Sequence, residues 1–251
     1  MNHDPQRVGP RPRIAVVLAA GQGKRMRSEL PKVLHEAGGR PLLDWVLDAA
    51  RAAGCERILV VVGHRAERVR AAFSRQRDLV WVEQREQLGT GHALARAAPE
   101  IDGDALVLVL SGDVPLVRPA TLERLAAAAR GRWGAMAVAT LAEPGSLGRV
   151  LEGPGGELLR IVEARDAGAR ELAVRRVNAG LYALPAPEVF AYLDRLRPDN
   201  AQGELYLTDA VTAAAADGPR VALVDLSDPD EALGVNDPDE LARVDRLLRS
   251  R

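Results

Sequence analysis

RIAVVLAAGQGKRM, residues 13–26, sets an apolar run of strand type directly before two glycines and two cations, Lys24 and Arg25. A third cation, Lys32, follows in SELPKVLH, residues 28–35. Gly21 and Gly23 can simply turn the chain at a strand end, because glycine adopts left-handed backbone conformations without penalty. A turn of this kind also exposes backbone N–H groups that line an anion-binding concavity, and Arg25 and Lys32 would supply charge beside it. Alone, the stretch is compatible with both. It is not G-x-G-x-x-G, since Met26 stands at the last glycine position, and no G-x-x-x-x-G-K-[ST] occurs.

Outward from this stretch, apolar runs alternate with helical patterns. RILVVVG (57–63), DLVWVEQ (78–84) and DALVLVLSGD (104–113) read as strands; PLLDWVLDAARAAG (41–54), HRAERVRAAFS (64–74), TGHALARAAPE (90–100) and PATLERLAAAARG (119–131) read as helices. Strands that are apolar on both faces and alternate with helices predict a parallel sheet covered on both sides. After about Gly134 the rhythm changes. GRVLEGPGGELLRIVE (148–163) is two strand-like runs joined by a Pro154-Gly155-Gly156 hairpin signal, and RRVNAGLYAL (175–184) is a further strand. Helices follow in APEVFAYLDRL (186–196) and GELYLTDAVTAAAADG (203–218), then the strand VALVDL (221–226) and the helix PDELARVDRLLRS (238–250). The expectation is an α/β domain over 13–251 with a mostly parallel central sheet, helices on both faces and a smaller antiparallel lobe inserted at about 141–184. A loose polar leader, 1–12, precedes it.

Composition narrows the function. With 251 residues, 47% of them hydrophobic, the chain can bury a sizeable core. Lys plus Arg (34) and Asp plus Glu (35) nearly cancel to a net charge of -1, so no global field draws it to nucleic acid or an anionic membrane. Neither partner is expected, and any anion site is local. Cys55 is the sole cysteine, which excludes an intramolecular disulfide or a cysteine-rich zinc site and fits a reducing, cytoplasmic setting. The four histidines lack ligand spacing, and no G-x-S-x-G occurs.

Three further stretches carry candidate chemistry. Asp113 follows a buried-type strand in SGDVPL. It reads either as a turn closed by Pro115 or as a carboxylate at the sheet edge where open α/β folds bind ligands. In the second reading it is an oxygen ligand suited to magnesium, which takes one or two protein ligands plus substrate phosphates. In EQREQLGTGHA, Thr90 reads as a helix cap, while Gln84 offers the donor and acceptor that would read a pyrimidine edge. Trp45, Trp81 and Trp133 read as core or rim.

Taken in order, LAAGQGKRM, LPKVLH, EQLGTGHA, SGDVPL, IVEARDA, VNAGLY, QGELYLTD and GVND closely resemble the nucleotidyltransferase domain of bacterial N-acetylglucosamine-1-phosphate uridylyltransferases, from about Arg13 to Asp237. That resemblance implies a Rossmann-like nucleotidyltransferase fold, with UTP and a sugar 1-phosphate, N-acetylglucosamine 1-phosphate foremost, as substrates. It implies a nucleotide cradle of Leu18, Ala19, Ala20, Gly21 and Gly23, completed by Gly112, with Arg25 and Lys32 on the phosphates. Gln84, Gly89 and Thr90 fall at the uracil positions, Asp113 and Asn236 at the magnesium pair, and Gly148, Glu163, Asn178 and Thr208 around the sugar. Without the resemblance, Glu163 reads as a surface acid, Asn178 as a turn amide and Asn236 as the cap of the last helix. The chain departs from the family at Ser111, where bifunctional members often carry tyrosine. It also ends at Arg251, short of their left-handed β-helix, so no acetyltransferase activity is expected.

Overall fold

The computed structural model describes residues 11–218 and 220–250. Most of the expected leader lies outside that range; its last two residues are docked, with Pro12 O accepting from Leu106 N (2.9 Å) and Arg11 paired with Asp104 (2.7 Å). In chain order the elements are β1 (Arg13–Ala19), β2 (Glu36–Ala37), β3 (Arg40–Pro41), α1 (Leu42–Ala52), β4 (Arg57–Val62), α2 (Ala66–Ala72), β5 (Leu79–Glu83), α3 (Thr90–Ala95), β6 (Ala105–Ser111) and α4 (Pro119–Ala128). Then come β7 (Gly134–Thr140), β8 (Arg149–Glu152), β9 (Leu158–Val162), α5 (Ala169–Leu172), β10 (Arg176–Ala186), α6 (Glu188–Leu193), α7 (Leu207–Ala216), β11 (Val221–Asp225) and α8 (Pro238–Arg249).

The main sheet runs β11-β7-β10-β6-β1-β4-β5. β1 pairs in parallel with β4 and β6, β4 with β5, and β11 with β7, whereas β10 is antiparallel to both its neighbours. β10 is thus the one reversed strand of this path, so its N-terminal end lies beside the carboxyl ends of β6 and β7. Off this path the β8–β9 hairpin joins β10 through Val177 and Arg149, and β2 and β3 form a separate two-stranded antiparallel sheet. The strand β7 is absent from the sequence reading: four of the seven residues of its GAMAVAT are Gly or Ala, which are depleted in strands. Small residues suit it, since a side chain at Gly134 would meet Ala183 O at 2.9 Å.

Alternation along β1 divides the interior. Ala15, Val17 and Ala19 pack with Leu43, Val46, Leu122 and Leu125 of α1 and α4 on one face. Ile14 and Val16 pack with Leu94, Val189 and Val211 of α3, α6 and α7 on the other. A third, smaller core joins Met26, Ala37, Leu42, Leu116 and Val235 to Val244 and Leu248 of α8. Met26, the residue that breaks the dinucleotide motif, is therefore an anchor.

Candidate active site

That third core positions the charged groups at the sheet's carboxyl edge. Met26 follows Arg25, Leu116 comes three residues after Asp113, and Val235 precedes Asn236, so one apolar cluster pins all three stretches. Backbone bonds complete the frame: Gly112 N donates to Leu18 O (2.9 Å) and Val235 N to Asp113 O (2.9 Å).

Within this frame Lys32, from a single 3-10 turn at Lys32–Leu34, reaches both expected metal-binding residues. Its ammonium pairs with the Asp113 carboxylate and donates to Asn236 Oδ1 at 3.1 Å. Sequence separations of 81 and 204 residues collapse onto one nitrogen. Asn236 does not cap α8. Asp237 does, its Oδ1 accepting from Asp239 N (3.1 Å) and Glu240 N (2.9 Å), while Glu240 accepts from Asn236 N (2.6 Å). The amide oxygen of Asn236 is thereby left for a cation. The donor set, one carboxylate and one amide oxygen already converging on an ammonium, fits a hard divalent ion. Among the described residues no three His, Cys, Asp or Glu side chains form a metal cage, so a metal here would draw its remaining ligands from substrate and water.

The glycine turn lies against Lys32. Gly23 is left-handed (φ 61°), and a side chain there would place its Cβ 2.9 Å from Lys32 Cβ. Gly21 is open, with nothing near its missing side chain. Arg25 is exposed and, among the described residues, makes no hydrogen bond or ion pair, which leaves its guanidinium for a ligand. Ala19 and Ala20 are buried, and a side chain at Gly112 would place its Cβ 3.3 Å from Ala19 Cβ and Leu18 O, so β1 and β6 end in close contact.

At the next strand ends, Gln84 is buried, donating through Nε2 to Gly89 O (3.1 Å) with His92 Nδ1 3.0 Å from the same nitrogen. No described donor reaches its Oε1. Thr90 is not the cap of α3. Gly89 holds that position, and Thr90 Oγ1 accepts from Leu207 N (3.0 Å), which ties α3 to the start of α7. Gly89 permits this, since a side chain would fall 2.5 Å from Leu205 O. Gln87, a residue the sequence reading passes over, braces the same region: its Nε2 donates to Gln84 O (3.0 Å) and fills the space left by Gly63.

Gly148, Glu163, Asn178 and Thr208 come together as a second cluster. Thr208 donates to Glu163 Oε1 (2.9 Å), and a side chain at Gly148 would sit 3.4 Å from both carboxylate oxygens. Asn178 N donates to Gly148 O (2.9 Å). Glu163 is not a plain surface acid: burial raises its pKa, the Thr208 bond opposes that, and Asp209 and Asp166 raise it further. Asn178 serves a turn as well. Its Oδ1 accepts from Gly180 N (3.0 Å) and its Nδ2 donates to Tyr182 Oη (2.7 Å), closing the bulge in β10. Tyr182, which sequence reasoning missed, is buried near Glu163, and burial followed by that charge raises its pKa.

Comparison with known proteins decides the family. Residues 15–179 match the MobA-like NTP transferase domain. The chain belongs to the MobA-like NTP transferase family. Two relatives, each described as bifunctional protein GlmU, are close: that of Pelobacter propionicus is 47% identical over 240 residues, covering 94% of this chain and 52% of its own length. That of Alkalilimnicola ehrlichii is 50% identical over 236 residues, covering 94% of this chain and 50% of its own. The chain thus spans about half the length of these relatives. The fold matches a UDP-glucose pyrophosphorylase solved with UDP-glucose at a TM-score of 0.77, with 18% identity over 95% of this chain and 99% of that one. The MobA-like match ends before Thr208 and Asn236, whereas the GlmU relatives match over most of the chain. Among the described residues no helix is long and apolar enough to cross a membrane.

Proposed function

We propose that the protein transfers UMP from UTP to N-acetylglucosamine 1-phosphate in a magnesium-dependent reaction of the cytoplasm, giving UDP-N-acetylglucosamine and pyrophosphate. The observation that carries this reading is the convergence of Lys32, Asp113 and Asn236 on one point beside the Gly21–Gly23 turn. The GlmU relatives and the nucleotide-sugar chemistry of the structural neighbour support it.

In this reading a phosphate oxygen of the sugar 1-phosphate attacks the α-phosphorus in line. The bond from the α-phosphorus to the bridging oxygen breaks, and pyrophosphate leaves with its electrons. The nucleophile is already an anion, so no side chain has to remove a proton, and positioning and charge neutralisation carry the catalysis. Arg25 and Lys32 take the phosphates; two unit charges about 4 Å apart interact by roughly 4 kcal/mol at an effective dielectric near 20. Asp113 and Asn236 would hold magnesium, which supplies further neutralisation of the phosphates when bound. Gln84 would accept a hydrogen bond from the N3–H of uracil through Oε1, and its Nε2, held by Gly89, fixes that orientation. Glu163, supported by Thr208, would accept from a sugar hydroxyl.

The test is pyrophosphate release with magnesium, a panel of UTP, dTTP, CTP and GTP, and several sugar 1-phosphates. UTP with N-acetylglucosamine 1-phosphate should exceed every other pair in kcat/KM. A different pair ahead by tenfold would replace this assignment with another sugar-1-phosphate nucleotidyltransferase. UDP-sugar binding without pyrophosphate release from any pair would make the protein a sensor.

A further inference from the structure

The function proposed above asks Lys32 to face the nucleotide's phosphates, yet its ammonium pairs with Asp113 and donates to Asn236 Oδ1. Those are the two oxygens assigned to the divalent ion. Lys32 and Asp113 are both largely withdrawn from solvent, with side chains 15% and 17% exposed, so the pair is poorly screened. The root of Lys32 is set close against the left-handed Gly23, where an added Cβ would stand 2.9 Å from Lys32 Cβ.

We propose that Lys32 is an internal cation that keeps the metal site closed until nucleotide draws it away. This rests on the reading of Asp113 and Asn236 as the metal-binding pair. A divalent ion arriving alone meets a carboxylate already neutralised by an ammonium, and it must expel a like charge that has nowhere better to go. A triphosphate changes the balance, since its oxygens offer Lys32 a more negative partner. Asp113 and Asn236 are released at the same moment that phosphate oxygens become available to complete the coordination. Metal and nucleotide binding are then coupled through one side chain, and linkage requires that each strengthen the other by the same factor.

The full chain can be tested with Mn2+ as the probe, followed by water-proton relaxation, which separates protein-bound ion from ion on free UTP. Wild type should bind Mn2+ weakly without nucleotide and tightly in the presence of UTP. Lys32→Met keeps the stem and removes the charge; it should bind Mn2+ without nucleotide at least about tenfold more tightly than wild type, within the usual span of coupling between sites. Lys32→Gln should do the same, and adding Asp113→Asn to either should abolish the gain. Equal or weaker nucleotide-free binding in both Lys32 variants, with UTP still tightening Mn2+ on wild type, would overturn the interlock and leave the metal pair standing. No protein-bound Mn2+ in wild type even with UTP would overturn both.

Discussion

Gly23→Ala is the substitution that most sharply probes how the backbone builds this site. Gly23 has φ 61°, a conformation that costs an L-residue about 1–2 kcal/mol. The new methyl would also stand 2.9 Å from Lys32 Cβ, a contact with the root of a side chain that no rotamer change relieves. Either the turn or the 3-10 segment at Lys32–Leu34 must move. The strain alone shifts a local equilibrium by a factor of about 5–30. Displacing a phosphate-binding group by about 1 Å costs about 10²-fold in rate. We therefore expect kcat/KM for UTP to fall about 10- to 100-fold, with Tm lowered by about 2–8 °C at the 2–4 °C per kcal/mol usual for a domain of this size. The companion Gly21→Ala separates strain from ligand contact: nothing lies within 4 Å of its methyl and φ is not left-handed, so Tm should not move. Steady-state kinetics with UTP varied and thermal melts on both variants check this. Wild-type kcat/KM and Tm in Gly23→Ala would refute the idea that the turn is built on Lys32.

Other substitutions address the remaining groups. Arg25→Ala should leave Tm unchanged, since the side chain has no partner among the described residues, and lower kcat about 10²- to 10³-fold at saturating substrates, as losing one preorganised donor does; undiminished kcat would remove Arg25 from the phosphate site. Asp113→Ala should abolish magnesium-dependent turnover, and activity that survives with unchanged magnesium dependence would exclude it as a ligand. For Glu163 the sign follows from burial, which raises its pKa in the fold, so the native state holds its proton to higher pH than the unfolded chain does. Wild type should lose stability as pH rises from the ordinary carboxylate range through that raised value; Glu163→Gln should flatten this part of the stability curve while raising KM for the sugar phosphate. A pH-stability curve identical to wild type would contradict the buried-charge assignment. Thr90→Val keeps the shape but leaves Leu207 N without its acceptor, at a cost of about 1 kcal/mol, or about 2–4 °C in Tm, which Thr90→Ser should restore.

Much of the fold was legible because β1, β4 and β6 are almost wholly apolar, the mark of parallel strands buried on both faces. β7 was not, because its residues are small for a packing reason that exists only once β10 lies beside it. The same division holds at the site. Lys32, Asp113 and Asn236 were singled out from short motifs, but their meeting depends on a core of Met26, Leu116, Val235 and α8 that joins distant stretches. Thr90 and Asn236 illustrate the limit of local pattern. Each sits where a helix cap is expected, yet Thr90 serves a helix 117 residues away and Asn236 cedes the cap to its neighbour Asp237. Gln87 and Tyr182 lie inside EQLGTGHA and VNAGLY but carry no local signal, because their roles, bracing Gln84 and closing the bulge beside Glu163, are tertiary.

Which phosphorus atom is attacked is read directly by 31P NMR of the purified protein with UTP, N-acetylglucosamine 1-phosphate and magnesium. Attack at the α-phosphorus should replace the sugar monophosphate and γ-phosphate resonances with the paired signals of a pyrophosphate diester and with free pyrophosphate in equal amounts. Orthophosphate in place of pyrophosphate, or unchanged spectra with every sugar 1-phosphate offered, would contradict it.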